Sequence, residues 1–174
     1  LEDLIERRTT GDVAAIMVEP IIGEGGIIVP PDEYPIEVAK ICKGHGALLI
    51  ADEVQTGFGR TGKMFAVDYW KVAPDIITMA KGLGAGLPIG AFAAAEEVAS
   101  AFEPGDHFST FGGNPVSCAA AYANIEVLVS EKLPENARRV GKKMVDGLND
   151  LAKKHKLIGD VRGRGLMIGV ELVK

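Results

Sequence analysis

Ala47-Leu48-Leu49-Ile50-Ala51-Asp52-Glu53 and Asp75-Ile76-Ile77-Thr78-Met79-Ala80-Lys81-Gly82 are the two stretches that decide the fold. Each is a short, unbroken apolar run of strand length followed at once by residues able to do chemistry. The first run delivers Asp52 and Glu53, and the second leads Lys81 into the glycine-rich turn Gly82-Leu83-Gly84-Ala85-Gly86. Lysine is rarely fully buried, because dehydrating its ammonium is costly. A lysine at a strand exit either reaches for water or has work to do. An amine at one strand end and a carboxylate at another point to one site at the carboxyl edge of a parallel sheet, where open α/β folds bind ligands.

Outward from this pair, Val13-Ala14-Ala15-Ile16-Met17-Val18 is a third apolar run, ending at Glu19-Pro20. Ile89 to Ala95, just past Pro88, is a fourth. All four read as buried parallel strands, which carry continuous rather than alternating apolar residues. A loop Gly23-Glu24-Gly25-Gly26 and then Pro30-Pro31 follow the Glu19 run. Tyr34, Val38, Ile41 and Cys42 then recur at helical spacing, with Asp32 as the expected N-cap and Gly44 and Gly46 ending the helix. Strands alternating with helices define an α/β fold with a mainly parallel sheet. Asn114-Pro115 opens a further helix, Asn as cap and Pro at the first helical position, running to about Ser130. After Pro134 comes another helix, with Val140, Met144, Leu148, Leu151 and His155 on one face. The opposite face carries Arg138, Arg139, Lys142, Lys143 and Lys153, which reads as a solvated stripe rather than a phosphate or membrane site. The change in composition between Ser130 and Pro134 divides the chain into residues 1–130 and 131–174. Leu1 is no initiator methionine, and Gly165 to Lys174 is a strand-like run expected to lack a partner, so the chain reads as part of a longer protein.

With 174 residues, 47% hydrophobic and 25% charged, the composition is that of a globular domain. A net charge of −5 argues against a nucleic-acid partner. Cys42 and Cys118 are far apart and lack a nearby histidine at ligand spacing, so packed thiols are expected and a metal site is not. No apolar run reaches the ~18 residues that span a membrane, and no signal peptide opens the chain. A cytoplasmic protein with no membrane partner is the expectation.

Two readings compete for the chemistry. Gly57-Phe58-Gly59-Arg60-Thr61-Gly62-Lys63-Met64 has the G-x-x-x-x-G-K frame of a phosphate loop, and Asp52-Glu53 could hold its Mg²⁺. Met64, however, replaces the Ser or Thr that would bind the metal. Acid and glycine loop also share one strand end, and no long helix follows Lys63 to present its amides. Gly82-x-Gly84-x-Gly86 fails as a dinucleotide fingerprint, since Pro88 blocks the helix that should follow. The second reading gives Lys81 covalent work, a Schiff base with an aldehyde cofactor. Pyridoxal phosphate (PLP) also needs an anion facing its pyridine nitrogen, to keep the ring protonated and electron-withdrawing. Asp52 is the acid at the neighbouring strand end. Alone it would read as a cap or a surface acid; with Lys81 it favours the cofactor.

Leu49-Ile50-Ala51-Asp52-Glu53-Val54-Gln55-Thr56-Gly57-Phe58-Gly59-Arg60-Thr61-Gly62, followed by Pro74-Asp75-Ile76-Ile77-Thr78-Met79-Ala80-Lys81-Gly82-Leu83, resembles the class-III PLP-dependent aminotransferases of the ornithine, acetylornithine and 4-aminobutyrate type. Glu19-Pro20-Ile21-Ile22-Gly23-Glu24-Gly25-Gly26 and Ser109-Thr110-Phe111-Gly112-Gly113-Asn114-Pro115 match two further family motifs, in the right order. The resemblance implies a fold-type I transferase, with part of the large cofactor domain over 1–130 and the start of the C-terminal small domain over 131–174. It implies transamination from an amino donor to a 2-oxo acid in a homodimer whose active sites lie at the interface. Lys81 would form the Schiff base and shuttle the proton, and Asp52 would pair with the pyridinium. Val54 would pack on the ring, Gln55 would reach the phenolic oxygen, and Thr110 would bind the phosphate held by the other subunit. Glu24 matches a glutamate that pairs with a downstream arginine and gates substrate carboxylates; Glu19 matches a second acid on the substrate side.

Departures are visible too. Ile22 stands where glutamine is frequent, and His107-Phe108 where a smaller residue is common. Tyr34, Trp70, Phe102 and Phe108 match no motif position and default to core packing. Arg162 and Arg164 open the family's small domain and are not the arginine expected opposite Glu24. The upstream phosphate-binding turn and the aromatic for the other ring face have no counterpart, so this chain alone is expected to be inactive. Within the fold the alternative is an aminomutase or racemase using the same lysine; outside it, a non-catalytic nucleotide-binding module.

Overall fold

The computed structural model describes residues 1–174. A short helix α1 (Glu2–Arg8), which the sequence reading did not anticipate, precedes the first strand β1 (Ala15–Val18). Helix α2 (Glu33–His45) crosses over to β2 (Leu48–Asp52), and β3 (Ile76–Met79) pairs on the far side of β2. The β1–β2 and β2–β3 pairs are both parallel, with Val18 beside Ala51 and Asp52 beside Thr78. Gly46 ends α2 in the left-handed conformation, φ +68°, and its N–H closes the last turn on Cys42 and Lys43. The helix covers one sheet face: Val38 and Cys42 pack on Leu49, with Ile16 and Val18 around them.

The fourth strand, β4 (Ala91–Ala94), runs antiparallel to β3, not parallel as the sequence suggests. The link from Met79 to Ala91 contains only a 3-10 turn, and a parallel return needs a crossover of a dozen or more residues. Strand β4 is also largely exposed rather than buried. A four-residue helix α3 (Glu96–Ala99) follows it.

Asn114 caps α4 (Pro115–Ser130) as expected: its side chain accepts from Ser117 N at 2.9 Å, with Pro115 in the first turn. Helix α4 holds the glycine turn after β3. Asn124 Nδ2 donates to the carbonyls of Gly82 and Leu83, and Ser117 Oγ to that of Pro88. Helix α5 (Leu133–Ala152) ends before His155, which is exposed in the turn beyond it. Its basic stripe faces solvent and pairs locally, Lys142 with Asp146 and Lys153 with Asp150.

Strands β5 (Ile158–Arg164) and β6 (Met167–Leu172) form an antiparallel hairpin. The terminal run is therefore paired, with the segment just before it, contrary to expectation. Asp32 is also reassigned. It sits in helical geometry and makes no cap bond; instead its Oδ1 accepts from Trp70 Nε1 at 3.0 Å and from Arg164 Nη2 at 2.8 Å. The Arg164 guanidinium lies 4.6 Å from the Tyr69 ring centre and 5.3 Å from that of Trp70. Of the unassigned aromatics, Trp70 is in the core, whereas Tyr34, Phe102 and Phe108 are exposed, Phe108 by 85%. Cys42 is buried and Cys118 exposed.

The hairpin meets α5 through bare backbone. A Cβ on Gly141 would lie 1.8 Å from Gly165 O, and one on Gly165 would lie 2.3 Å from Thr61 C. Three segments stack here at distances only glycine permits. Gly141→Ala is expected to destabilise the chain by about 1–3 kcal/mol, the usual cost of overpacking, despite alanine's better helix propensity. Urea unfolding measures this; an unchanged midpoint would contradict the close crossing.

Candidate active site

Three consecutive parallel strands leave the sheet at the same edge, and each delivers a titratable side chain there. Glu19 follows β1, Asp52 ends β2, and Lys81 stands two residues past β3. Asp52 Oδ1 accepts from Val54 N at 2.9 Å, which orients the carboxylate and leaves its second oxygen available. Thr78, the register partner of Asp52, has an enclosed hydroxyl with no protein partner.

Lys81 adopts φ +43°, left-handed and unfavourable for a residue with a side chain. Such strain, of order 1–3 kcal/mol, persists where the surroundings impose it, and often where function resides. The surroundings here are the α4 bonds to Gly82 and Leu83. The reversal turns the chain sharply out of the strand and leaves Lys81 exposed on a cavity of about 340 Å³. That volume falls within the roughly 300–1,000 Å³ of ligand clefts. None of the chain's ion pairs involves Lys81.

Val54 and Gln55 line the same cavity as Lys81. Gln55 Nε2 donates to Glu24 Oε1 at 3.1 Å, so Glu24 joins the site through Gln55. Gly23 makes this approach possible, since a Cβ there would sit 2.5 Å from Gln55 Oε1. Glu19 Oε2 accepts from Gly23 N at 2.8 Å and so braces the loop that carries Glu24. Thr110 stands apart: it is exposed, between β4 and α4, and does not line the Lys81 cavity.

The motifs assigned no role to the rest of the cavity wall. Ile27, Phe58 and Arg60 contribute, and so do Leu166, Met167 and Ile168 from the distant hairpin. Leu166 N donates to Arg60 O at 2.9 Å, which docks the hairpin turn on the loop after Gln55. Arg162 Nε donates to Gly26 O at 2.9 Å while Asp160 and Glu171 hold its other end. Glu53, read in sequence as one of an acidic pair with Asp52, points away from the cavity. It is fully buried, and its carboxylate accepts from the Thr56 hydroxyl and from the backbone of Ala66 and Val67. Burial pushes its pKa up, against the pull of those three hydrogen bonds. The glycine frame at Gly57 to Lys63 leads into a four-residue 3-10 helix, Ala66–Tyr69, and offers no long helix for a nucleotide phosphate.

The class-III aminotransferase model matches residues 1–174, and the chain belongs to that family. It is 51% identical over 168 residues to the acetylornithine aminotransferase of Methanopyrus kandleri, covering 97% of this chain and 42% of that protein. It is 55% identical over 161 residues to that of Methanothermobacter thermautotrophicus, covering 92% of this chain and 41% of the relative. Among solved structures, an ornithine aminotransferase from Toxoplasma gondii superposes with a TM-score of 0.92 at 44% identity, covering 98% of this chain and 40% of that one. The chain thus spans about two fifths of the length of these relatives, and its fold is that of fold-type I enzymes.

Proposed function

We propose that the full-length protein is a PLP-dependent transaminase that moves an amino group from an amino donor to a 2-oxo acid. The carrying observation is the convergence of Asp52 and Lys81 from adjacent parallel strands, with the lysine on a ligand-sized cavity. The residues present fit the cofactor. An unpaired amine and the Gln55 amide line one cavity, Asp52 at the end of the neighbouring strand keeps a free carboxylate oxygen, and the hydroxyl of its register partner Thr78 lacks a protein partner. The Toxoplasma gondii structure carries PLP at partial occupancy at its active site. PLP, when bound, supplies an aldehyde for attachment and a protonated ring that withdraws electrons from the substrate carbon.

In this reading Lys81 Nζ holds the cofactor and carries the proton at the reacting carbon. Asp52, oriented by Val54 N, keeps the ring nitrogen protonated. Val54 would pack against the cofactor ring and the Gln55 amide would be available to its phenolic oxygen, both residues lining the Lys81 cavity. Glu24 and Glu19 stand on the substrate side, with Glu24 able to exchange its hold on Gln55 for a substrate group. The relatives' names make an ornithine-type or acetylated ornithine donor the first to assay. We further propose a cytoplasmic homodimer, with residues 1–130 in the cofactor domain and 131–174 beginning the small one.

Borohydride treatment of the full-length protein with PLP, followed by peptide mapping, is expected to leave the pyridoxyl group on Lys81. An adduct on Lys63 or Lys71 instead would refute the assignment. Asp52→Asn is expected to keep the fold and slow turnover about ten- to a hundredfold. A charge-assisted hydrogen bond contributes ~1.5–3 kcal/mol, and its loss would weaken the electron sink more than cofactor binding. Turnover equal to that of the unmutated enzyme would remove Asp52 from this role.

Thr110 lies on the glycine-lightened segment before the Asn114 cap, outside the Lys81 cavity, and we propose that it serves the phosphate in the neighbouring subunit. Homodimers of Lys81→Ala and of Thr110→Ala are prepared separately and then co-assembled. Action across the interface gives one intact site per mixed dimer, so activity is expected to return. Activity no higher than the average of the two parents would place Thr110 in its own subunit's site or in none.

A further inference from the structure

We propose that Glu53 is a positioning residue: it staples the ends of the loop 53–67 and so holds Val54 and Gln55 against the Lys81 cavity. This rests on the functional reading above and adds to it a residue that touches neither cofactor nor substrate.

The geometry is unusually complete for one side chain. Strand alternation sends Glu53 to the side opposite Asp52, into a fully enclosed position. Its Oε2 takes the Thr56 hydroxyl and Ala66 N, the latter at 3.0 Å, and its Oε1 takes Val67 N at 2.9 Å. Its backbone is fixed as well. Glu53 N donates to Thr78 O at 3.0 Å, and Gly57 N donates back to Glu53 O at 2.9 Å. The loop thus leaves the sheet, forms the cavity wall with Val54, Gln55, Gly57, Phe58 and Arg60, and returns to the carboxylate it started beside. Gly57 returns so close to the start of the loop that a Cβ there would lie 2.8 Å from Glu53 O.

A carboxyl buried only to fill the core would be a poor choice, since dehydrating it is costly and an apolar side chain packs as well. What an apolar residue cannot do is accept bonds from two consecutive backbone amides and a hydroxyl at once. That grip sets where residues 54 and 55 begin. Their side chains face the cofactor site, so a loosened staple reaches the chemistry through Gln55.

The test uses the full-length protein carrying Glu53→Gln, Thr56→Val or Thr56→Ser. Glutamine keeps the shape but turns an amide N–H2 toward a backbone donor; valine keeps threonine's shape without the hydroxyl; serine restores the hydroxyl. In the cofactor-free protein, amide exchange over residues 54–62 is expected to quicken about tenfold in Glu53→Gln and Thr56→Val, the scale of one lost hydrogen bond. It is expected to return to normal in Thr56→Ser, with β2 and β3 unaffected throughout. In the loaded protein, the pH midpoint of the visible cofactor band is expected to shift and kcat to fall about tenfold, with KM for the amino donor nearly unchanged. In a Gln55→Ala background, Glu53→Gln is expected to add no further shift. Unaltered exchange over 54–62, or an undiminished shift without Gln55, overturns the proposal. If Glu53→Gln does not fold, the Thr56→Val and Thr56→Ser pair decides it by the same readings. Because the exchange arm needs no cofactor, finding no adduct on Lys81 would overturn the proposed function alone.

Discussion

The parallel register between β2 and its two neighbours sets where Glu19, Asp52 and Lys81 leave the sheet. With Ala51 beside Val18 and Asp52 beside Thr78, the buried pair Leu49 and Ala51 faces α2 while Asp52 lies on the opposite face of the strand. A slip of one residue would exchange these faces. Asp52 would enter the apolar layer under α2, and Leu49 would surface. The apolar contacts of Leu49 with Val38 and Cys42 resist that slip, so the core beneath α2 aims the carboxylate above it. The same alternation sends Glu53 to the enclosed side, where three donors await it. Core packing, site and staple are consequences of one pairing.

From that register the site extends outward in two layers. The first is made of chain exits: Glu19, Asp52 and Lys81. The second consists of what holds the site's backbone in place: α4 gripping the turn after Lys81, and Glu53 closing the loop behind Gln55, while Glu19 of the first layer also braces Gly23. Neither Glu53 nor Asn124 needs to touch a ligand. Both act on backbone groups, which explains why one is a carboxylate with acceptors to spare and the other an asparagine with a donor to give.

The apolar runs around β1, β2 and β3 were plain in the sequence because buried parallel strands carry no alternation to confuse. The Asn114-Pro115 helix start was equally plain, since cap and first-turn proline act locally. The direction of β4 was not, because composition says a strand is apolar but only the length of its connection says which way it returns. Asp32 looked like a cap for the same local reasons that served Asn114. Two long-range partners, Trp70 and Arg164, outcompeted the helix for its carboxylate. In the candidate site, Lys81, Val54 and Gln55 are brought together, and Glu24 reaches them through one hydrogen bond. Glu53 was visible only as half of an acidic dipeptide. Strand alternation separates the two acids, yet nothing local reveals that Ala66 and Val67 fold back to meet the second. The hairpin's share of the cavity, Leu166 to Ile168, depends on contacts more than a hundred residues apart in sequence, which periodicity does not carry.

Arg162 and Arg164, two apart on β5, point the same way and grip one stretch of chain, at Gly26 and at Asp32. Gly169 lies against that stretch as well, with room for no Cβ beyond about the 3.0 Å left by Ile27. The hairpin and the segment from Gly23 to Asp32 are therefore one part made from two remote pieces of gene. Recombination between relatives treats them as separate, because crossover points are chosen along the sequence. A chimera that takes its C-terminal segment from one parent and its glycine loop from another splits this part in two. In this chain the natural unit of exchange is discontinuous, and shuffling schemes that respect it would move both pieces together.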